Sequence, residues 1–423
     1  MSPDPGELNG WLALLEARNR TTIVLGLDRV RVVAARLAPA VLDPVFPLIT
    51  VAGTNGKGSV CAYLEGTLDA AGYRVGCYTS PHLLRYNERV RIAGREASDA
   101  DLCRAFRAVE TARGDTPLTY FEQGTLAAMW LFQDAGIDVA VLEVGLGGRL
   151  DAVNLWDADV AVVSSVDLDH QAYLGDTREA IGFEKAGIFR SRCPAICGDA
   201  DPPVSLIGYA NSVGADLLRL GTEIRVEITD VSWTCRVGDT VLPALPRPAM
   251  HGAHQFANAA CAIAALHTLR QRLPVTLRAI RTGLALARLP GRFHVVGQAP
   301  LRILDVAHNP HAARALAANL AALPAGGKIL AVFAMLADKE VDGVIAPLAH
   351  HIDFWHVAGL AGPRGLAGTD LGSSLAARSL ACQVHVDVAT AWAAACRQAE
   401  PADTIAVFGS FHTVAEVMAT IAP

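Results

Sequence analysis

The chain has 423 residues, of which 52% are hydrophobic and 18% charged, with a formal net charge of −6. That length exceeds one typical core and makes two domains the expectation. The balance excludes a disordered or coiled chain, and the slight acidity gives no general pull towards nucleic acid or an anionic membrane.

The first residues, Met1 to Glu7, hold no basic region followed by an apolar core, so no secretory signal is expected. No run of about 18 apolar residues occurs, so no membrane span is expected either. The nine cysteines are scattered, and Cys193 and Cys197 form a C-x-x-x-C pair with no matching second pair. Zinc needs more ligands at closer spacing, so these read as thiols of a cytoplasmic protein.

In chain order, Trp11 to Leu15 and then Thr22 to Val30 read as helical with a turn at Gly26, and helix resumes through Val32–Leu37. The stretch Leu48-Ile49-Thr50-Val51-Ala52-Gly53-Thr54-Asn55-Gly56-Lys57-Gly58-Ser59 is a β-branched strand entering a glycine-rich turn. A helix follows at once, over 57–71, with Gly72 as its stop. Such a turn lets backbone N–H groups approach phosphate oxygens, adds the partial charge of a helix N-terminus, and supplies Lys57 as a counter-charge. Its spacing, G-x-x-G-K-G-S, differs from the common G-x-x-x-x-G-K-[ST] pattern.

Arg74 to Thr79 reads as the next strand, giving a right-handed parallel strand–helix–strand unit. A polar loop, Ser80 to Val90, then leaves the carboxyl end of that strand, where open α/β sheets bind ligands. Helical patterns at 99–113 and 122–135 precede a buried strand ending in Glu143, and Asp159–Val166 forms another ending in Asp167-Leu168-Asp169-His170. The expected fold is therefore α/β, a doubly wound and mostly parallel sheet carrying the phosphate loop. Residues 221–243 alternate in period two like a small antiparallel patch, and a helix from Asn258 to Leu269 returns to the main layer. Leu289-Pro290-Gly291-Arg292 breaks the pattern, and strands are expected at 301–306, 328–334, 354–358, 382–387 and 404–409. This sets domains at 1–296 and 297–423, the second a smaller Rossmann-like α/β domain.

Several residues at strand ends carry chemistry. Glu143, followed by Gly145-Leu146-Gly147-Gly148-Arg149-Leu150-Asp151, suits a Mg²⁺ ligand, because Mg²⁺ takes hard oxygen donors and bridges phosphates. Its bland reading is a cap or a surface acid. His170 gains interest only from its place at a neighbouring strand end. Lys185, in Glu184-Lys185-Ala186-Gly187-Ile188, reads by itself as a surface helix lysine beside an acid. Arg292 stands at the domain break and suits a phosphate clamp, and Asp305 and His308 stand at a strand end. Asn309-Pro310 reads as a turn and a helix start.

In this order, the phosphate loop, Ser80-Pro81-His82, Glu143 with its glycine tail, Asp169-His170, Glu184 to Ile188, Leu289 to Arg292 and Asp305-x-x-His308-Asn309-Pro310 resemble the folylpolyglutamate synthase/dihydrofolate synthase family of Mur-type amide ligases. The resemblance covers nearly the whole chain. It implies ATP-dependent, ADP-forming amide synthesis through an acyl phosphate, with L-glutamate joined to dihydropteroate and to tetrahydrofolate.

By that similarity Thr54, Asn55, Gly56, Lys57, Gly58 and Ser59 hold the phosphates, and Asn258, Arg292 and Asp305 make further nucleotide contacts. Ser80, Glu143 and His170 become metal ligands, although other phosphate loops would nominate Ser59 as the metal serine. Lys185 matches a carbamylated lysine (N6-carboxylysine) serving a second Mg²⁺, and with Lys57 and His308 completes the catalytic set. The pterin side matches Leu27, Asp28, Arg29 and Val30, then Thr119, Tyr120, Phe121 and Glu122, then Leu150, Asp151 and Ala152. Phe121 reads equally as a pterin-stacking ring or as core. Val153 departs from the family, where threonine is frequent.

The substrates are small molecules and no nucleic acid or membrane partner is expected. Monomer is the default state. The rivals are an enzyme of polyglutamylation alone, a cell-wall Mur ligase, and a protein that uses ATP only as a conformational switch.

Overall fold

A computed structural model describes residues 5–18, 24–324 and 326–421. The chain divides into two compact units, the first comprising 1–249 and 256–287, the second 250–255 and 288–423. This division falls before residue 297, because the segment after the Pro-Gly break already pairs with the strand that follows it.

In the first unit eight strands form one sheet: β1 (Leu48–Ala52), β2 (Val75–Tyr78), β3 (Val90–Ile92), β4 (Arg95–Glu96), β5 (Val139–Glu143), β6 (Val160–Val163), β7 (Pro194–Cys197) and β8 (Asp216–Arg219). Their order is β4-β3-β2-β5-β1-β6-β7-β8. The pairs from β2 to β8 are parallel, while β3 and β4 fold back antiparallel at one edge. Every residue of β1 and β5 is buried, as near-continuous apolar runs require in a sheet covered on both faces.

Local signals explain several helix ends. Helix Tyr120–Ala135 starts with a reciprocal capping box between Thr119 and Glu122 and stops at Gly136, whose φ is +59°. Ser98 caps Asp99–Arg113 by accepting from Asp101 N–H. A separate three-stranded antiparallel patch, β9 (Ile224–Ile228), β10 (Trp233–Val237) and β11 (Thr240–Leu245), realises the period-two stretch.

The second unit holds a six-stranded sheet of β12 (His294–Gln298), β13 (Leu301–Leu304), β14 (Ile329–Phe333), β15 (Phe354–Ala358), β16 (Cys382–His385) and β17 (Thr404–Phe408). Its order is β12-β13-β17-β14-β15-β16, parallel apart from the β12–β13 hairpin. Phe333, Trp355 and Phe408 pack their rings 5.0–5.8 Å apart in its core. Asn309 caps the helix Pro310–Ala321, with the proline in the first turn.

Two expectations need correction. Thr22 and Ile23 lie outside the described residues, but Val24 to Leu27 are not helical, and the helix runs only from Asp28 to Leu37. Gly26 has φ +142° and its N–H donates to the Leu150 carbonyl at 3.2 Å, which holds this stretch out of the helix. Residues 80–90 are not one open loop. A 3₁₀ turn, Tyr86–Arg89, leads directly into β3. No described helix is long and apolar enough to cross a membrane, and none of the nine cysteines is in a disulfide.

Candidate active site

Four adjacent strands of the first sheet, in the order β2-β5-β1-β6, release their loops at one edge. Parallel strands share a carboxyl edge, so Ser80 after β2, Glu143 at the end of β5, the phosphate loop after β1 and His170 after β6 are brought to one rim. Residues spread over more than a hundred positions of sequence meet there.

The phosphate loop is bolted to the β6 loop. Thr54 N–H donates to the Ser165 carbonyl at 2.7 Å, and Thr54 Oγ1 accepts from Asp167 N–H at 3.0 Å. The Ser164 and Ser165 hydroxyls donate to the Asn55 carbonyl at 2.6 and 3.0 Å. Two glycines are obligatory. A Cβ on Gly53, at φ +146°, would lie 2.0 Å from Ser164 Oγ, and one on Gly56, at φ +85°, would lie 2.5 Å from Asn258 Oδ1. Asn258 is buried and packs against the loop itself. Lys57 Nζ donates to the Gly53 and Thr54 carbonyls at 3.0 and 3.2 Å, curling over the turn. Helix Lys57–Ala70 begins at the same point, with Gly58 and Ser59 in its first turn, so its dipole also faces the loop.

Glu143 is buried, and its Oε2 accepts from Ser80 N–H at 3.0 Å. That bond ties two of the three expected metal ligands together. His170 is exposed at φ +52°, with its own N–H on Asp169 Oδ1 at 2.8 Å. Among the described residues no three His, Cys, Asp or Glu side chains converge into a ready-made metal cage. A hydroxyl, a buried carboxylate and an imidazole beside a phosphate loop nevertheless suit Mg²⁺, which binds through few protein groups and completes its shell with phosphate and water.

Lys185 overturns its bland sequence reading, being 4% exposed. Helix Arg178–Ala186 is seated on the glycine tail of β5: a Cβ on Gly148 would lie 2.8 Å from the Glu184 carbonyl oxygen and 3.1 Å from Lys185 Cα. Arg149 fixes that contact through its N–H on the Glu184 carbonyl and its guanidinium on the Glu184 carboxylate, both at 2.8 Å. Burial, reinforced by the nearby Lys57 cation, pushes the Lys185 ammonium down to about 7, against the pull of Asp169 and Asp151. This amine thus sits near Lys57 of the phosphate loop, Asp169 and Asp151.

The three expected pterin segments also converge. Gly26 bonds Leu150, while Arg29 Nη2 donates to Glu122 Oε1 at 2.7 Å. Phe121 meets Tyr78 with ring centres 5.9 Å apart, and a Cβ on Gly145 would reach its ring at 2.6 Å. Tyr120 packs edge-on against Tyr86. Asp151 accepts from Leu146 and Val153 N–H at 2.9 and 3.0 Å, and burial raises its carboxyl to about 7. Val153 is fully buried, so its methyls fill apolar space where a hydroxyl would need a partner.

Arg292, Asp305 and His308 belong to the second unit and cluster there. Asp305 accepts from Phe293 and Ala307 N–H, both at 2.8 Å, and burial raises its pKa while Arg292 opposes. Arg292 lies over the Phe411 ring at 5.6 Å, and the His308 ring meets the same ring at 6.0 Å. His308 Nδ1 sits 2.8 Å from the Val306 carbonyl, which puts the ring proton on Nδ1.

Ser164 and Ser165 escaped sequence reasoning. Two serines at the end of an apolar strand next to a phosphate loop were the available signal. His254, which burial lowers to about 4 with Arg292 and His311 adding to the shift, escaped it as well.

Two family descriptions match the chain: the Mur ligase middle domain over residues 51–266 and the Mur ligase, glutamate ligase domain over 291–411. The dihydrofolate synthase/folylpolyglutamate synthase of Escherichia coli K12 is 50% identical over 414 residues, covering 98% of this chain and 95% of that protein. The solved structure of E. coli FolC in complex with DHPP and ADP superposes with a TM-score of 0.94 at 49% identity, covering 99% of each chain. A bifunctional folylpolyglutamate synthase/dihydrofolate synthase solved with Mn, AMPPNP and L-glutamate bound gives 0.92 at 48% identity, covering 100% of both. With its strand order, phosphate loop and buried lysine in place, the chain belongs to the dihydrofolate synthase/folylpolyglutamate synthase family of Mur ligases.

Proposed function

We propose that this chain is a bifunctional, ADP-forming carboxylate–amine ligase that joins L-glutamate to 7,8-dihydropteroate and to tetrahydrofolate. The observation that carries the reading is the position of Lys185, buried amid Lys57, Asp169 and Asp151, where phosphate chemistry and the pterin-side segment adjoin.

In the first step a substrate carboxylate oxygen forms a bond to the γ-phosphorus of ATP and the β–γ bridging bond breaks, releasing ADP. Lys57 and the N-terminus of helix Lys57–Ala70 offset the charge that migrates to the leaving oxygen. In the second step the neutral amine of glutamate attacks the acyl carbon, the C–O bond to phosphate breaks, and the amine gives up one proton. Arg292, Asp305 and His308 supply the second unit's nucleotide and catalytic contacts.

Ser80, Glu143 and His170 would hold Mg²⁺, which supplies electrostatic stabilisation of the transferring phosphoryl group. Lys185, deprotonated near neutral pH, would add CO₂: an N–C bond forms, one proton goes to solvent, and the neutral amine becomes an anionic oxygen donor that could serve a second Mg²⁺. Leu27 to Val30, Thr119 to Glu122 and Leu150 to Ala152 would line the pterin site, with Phe121 the ring to stack on it. Nine cysteines without a disulfide suit the reducing cytoplasm, where the enzyme would act as a monomer.

The test is ADP release with ATP, Mg²⁺ and glutamate, adding dihydropteroate in one reaction and tetrahydrofolate in another. Glutamate-dependent release in both is expected. Release with tetrahydrofolate alone would reduce the function to polyglutamylation, and release that ignores glutamate would point to a nucleotide switch.

A further inference from the structure

The most heavily bonded charged side chain of the β2–β3 hairpin touches none of the residues assigned above. Arg91, on β3, faces Cys77 across the antiparallel pair with β2. Its guanidinium spends all five donors. Nε and Nη2 grip the Glu65 carboxylate at 2.7–3.0 Å, and Nη2 also reaches Cys77 Sγ at 3.2 Å. Nη1 donates to the Glu88 carbonyl at 2.7 Å and to Thr79 Oγ1 at 3.1 Å.

Each partner leads to the phosphate and metal rim. Glu65 is the one charged residue in the buried stretch Gly58–Leu68, on the helix that the phosphate loop opens, about 12 Å along the axis from Lys57. Thr79 immediately precedes Ser80, whose N–H holds Glu143. Glu88 turns its carboxylate back to gather the N–H groups of Leu83, Leu84 and Arg85, at 2.7–2.8 Å, closing the turn after Ser80-Pro81-His82. A part-buried ion pair of this kind adds little net stability beyond an apolar replacement, so its bidentate geometry is better explained by registry than by stability.

We propose that Arg91 is a positioning residue that clamps the Ser80 loop to the phosphate-loop helix and so sets the distance between Ser80 and Glu143 for the metal. The proposal rests on the assignment of Ser80 and Glu143 as metal ligands. Lysine cannot replace it, because one ammonium offers three donors from a point and cannot span Glu65, Thr79 and Glu88 together.

The measurement is Mn²⁺ binding to the whole protein with AMPPNP, followed by electron paramagnetic resonance, beside the Mg²⁺ dependence of ADP release. Arg91→Lys is expected to weaken Mn²⁺ binding and raise the Mg²⁺ midpoint by about 10-fold or more, as loss of outer-shell support typically does. Turnover at saturating Mg²⁺ should return close to the parent value. Thr79→Val, which removes one acceptor of Arg91 and the hydroxyl's 3.5 Å bond to the Glu88 carbonyl but keeps the Arg91–Glu65 pair, should shift both readouts the same way by a smaller factor and serves if Arg91→Lys fails to fold. Unchanged Mn²⁺ affinity in a folded variant of either kind would overturn the clamp. Ser80→Ala and Glu143→Gln separate the two ideas: if they too leave Mn²⁺ binding intact, the ligand assignment fails, and with it the clamp.

Discussion

Replacing Lys185 by alanine separates phosphoryl chemistry from nucleotide binding. An ordinary lysine titrates near 10.4, so at pH 7.5 only about one in 800 is neutral. Burial beside Lys57 brings Lys185 to about 7, so roughly three quarters of it is neutral at the same pH, a gain of several hundredfold in the form that reacts with CO₂. Turnover in Lys185→Ala should fall by about 10²-fold or more, the scale of losing one preorganised electrostatic contact to the transition state, while affinity for AMPPNP changes only a few-fold. The sign with pH follows from the lowered pKa: acidification through about 7 protonates the amine and removes the carbamate, so activity declines on the acid side. Added bicarbonate should move that decline to lower pH. Incubation with ¹³C-bicarbonate should give a carbamate carbon resonance in the parent protein and none in Lys185→Ala. Equal losses of turnover and ATP affinity, with no carbamate signal in the parent, would refute the argument and return Lys185 to a packing role.

Gly56→Ala forces an L side chain to φ +85° and drives its Cβ into Asn258 Oδ1 at 2.5 Å. The left-handed backbone alone costs about 1–2 kcal/mol, so AMPPNP affinity by calorimetry should fall at least 10-fold while the second unit's core is untouched. Glu122→Gln leaves one acceptor oxygen for two donors, so its NH₂ opposes either Arg29 Nη2 or Thr119 N–H, each now bonded to the buried carboxylate at 2.7 Å. A loss of about 2–3 kcal/mol is expected for the lost charged hydrogen bond and the mismatch. It should appear as a lower melting temperature and a higher KM for dihydropteroate, with KM for ATP unchanged. Asp305→Asn leaves an amide NH₂ opposing Phe293 or Ala307 N–H, a mismatch of about 1–3 kcal/mol. Nucleotide affinity should drop in proportion, whereas dihydropteroate binding should not.

Short-range pattern along the chain accounts for the local elements. The strand–glycine turn–helix at Leu48–Ala70, the capping box at Thr119 and Glu122, the Asn309-Pro310 helix start and the alternation of strands and helices all follow from neighbours a few residues apart. The same rules misread residues 24–27, because the bond that extends Gly26 comes from Leu150, far along the chain. Long-range burial, by contrast, follows from how distant segments pack together. Glu184-Lys185 carries the signature of an exposed helix pair, and it is the glycine tail of β5, more than thirty residues earlier, that buries the lysine and lowers its pKa. Arg91 has no local signature either, since its four partners come from a helix, a strand and the loop between β2 and β3 that the sheet order assembles. Local propensity acts over a turn of helix or a pair of strand residues. Burial and pKa are set by whichever segments the parallel sheet carries to a common edge, and that order is not written in any one stretch of the chain.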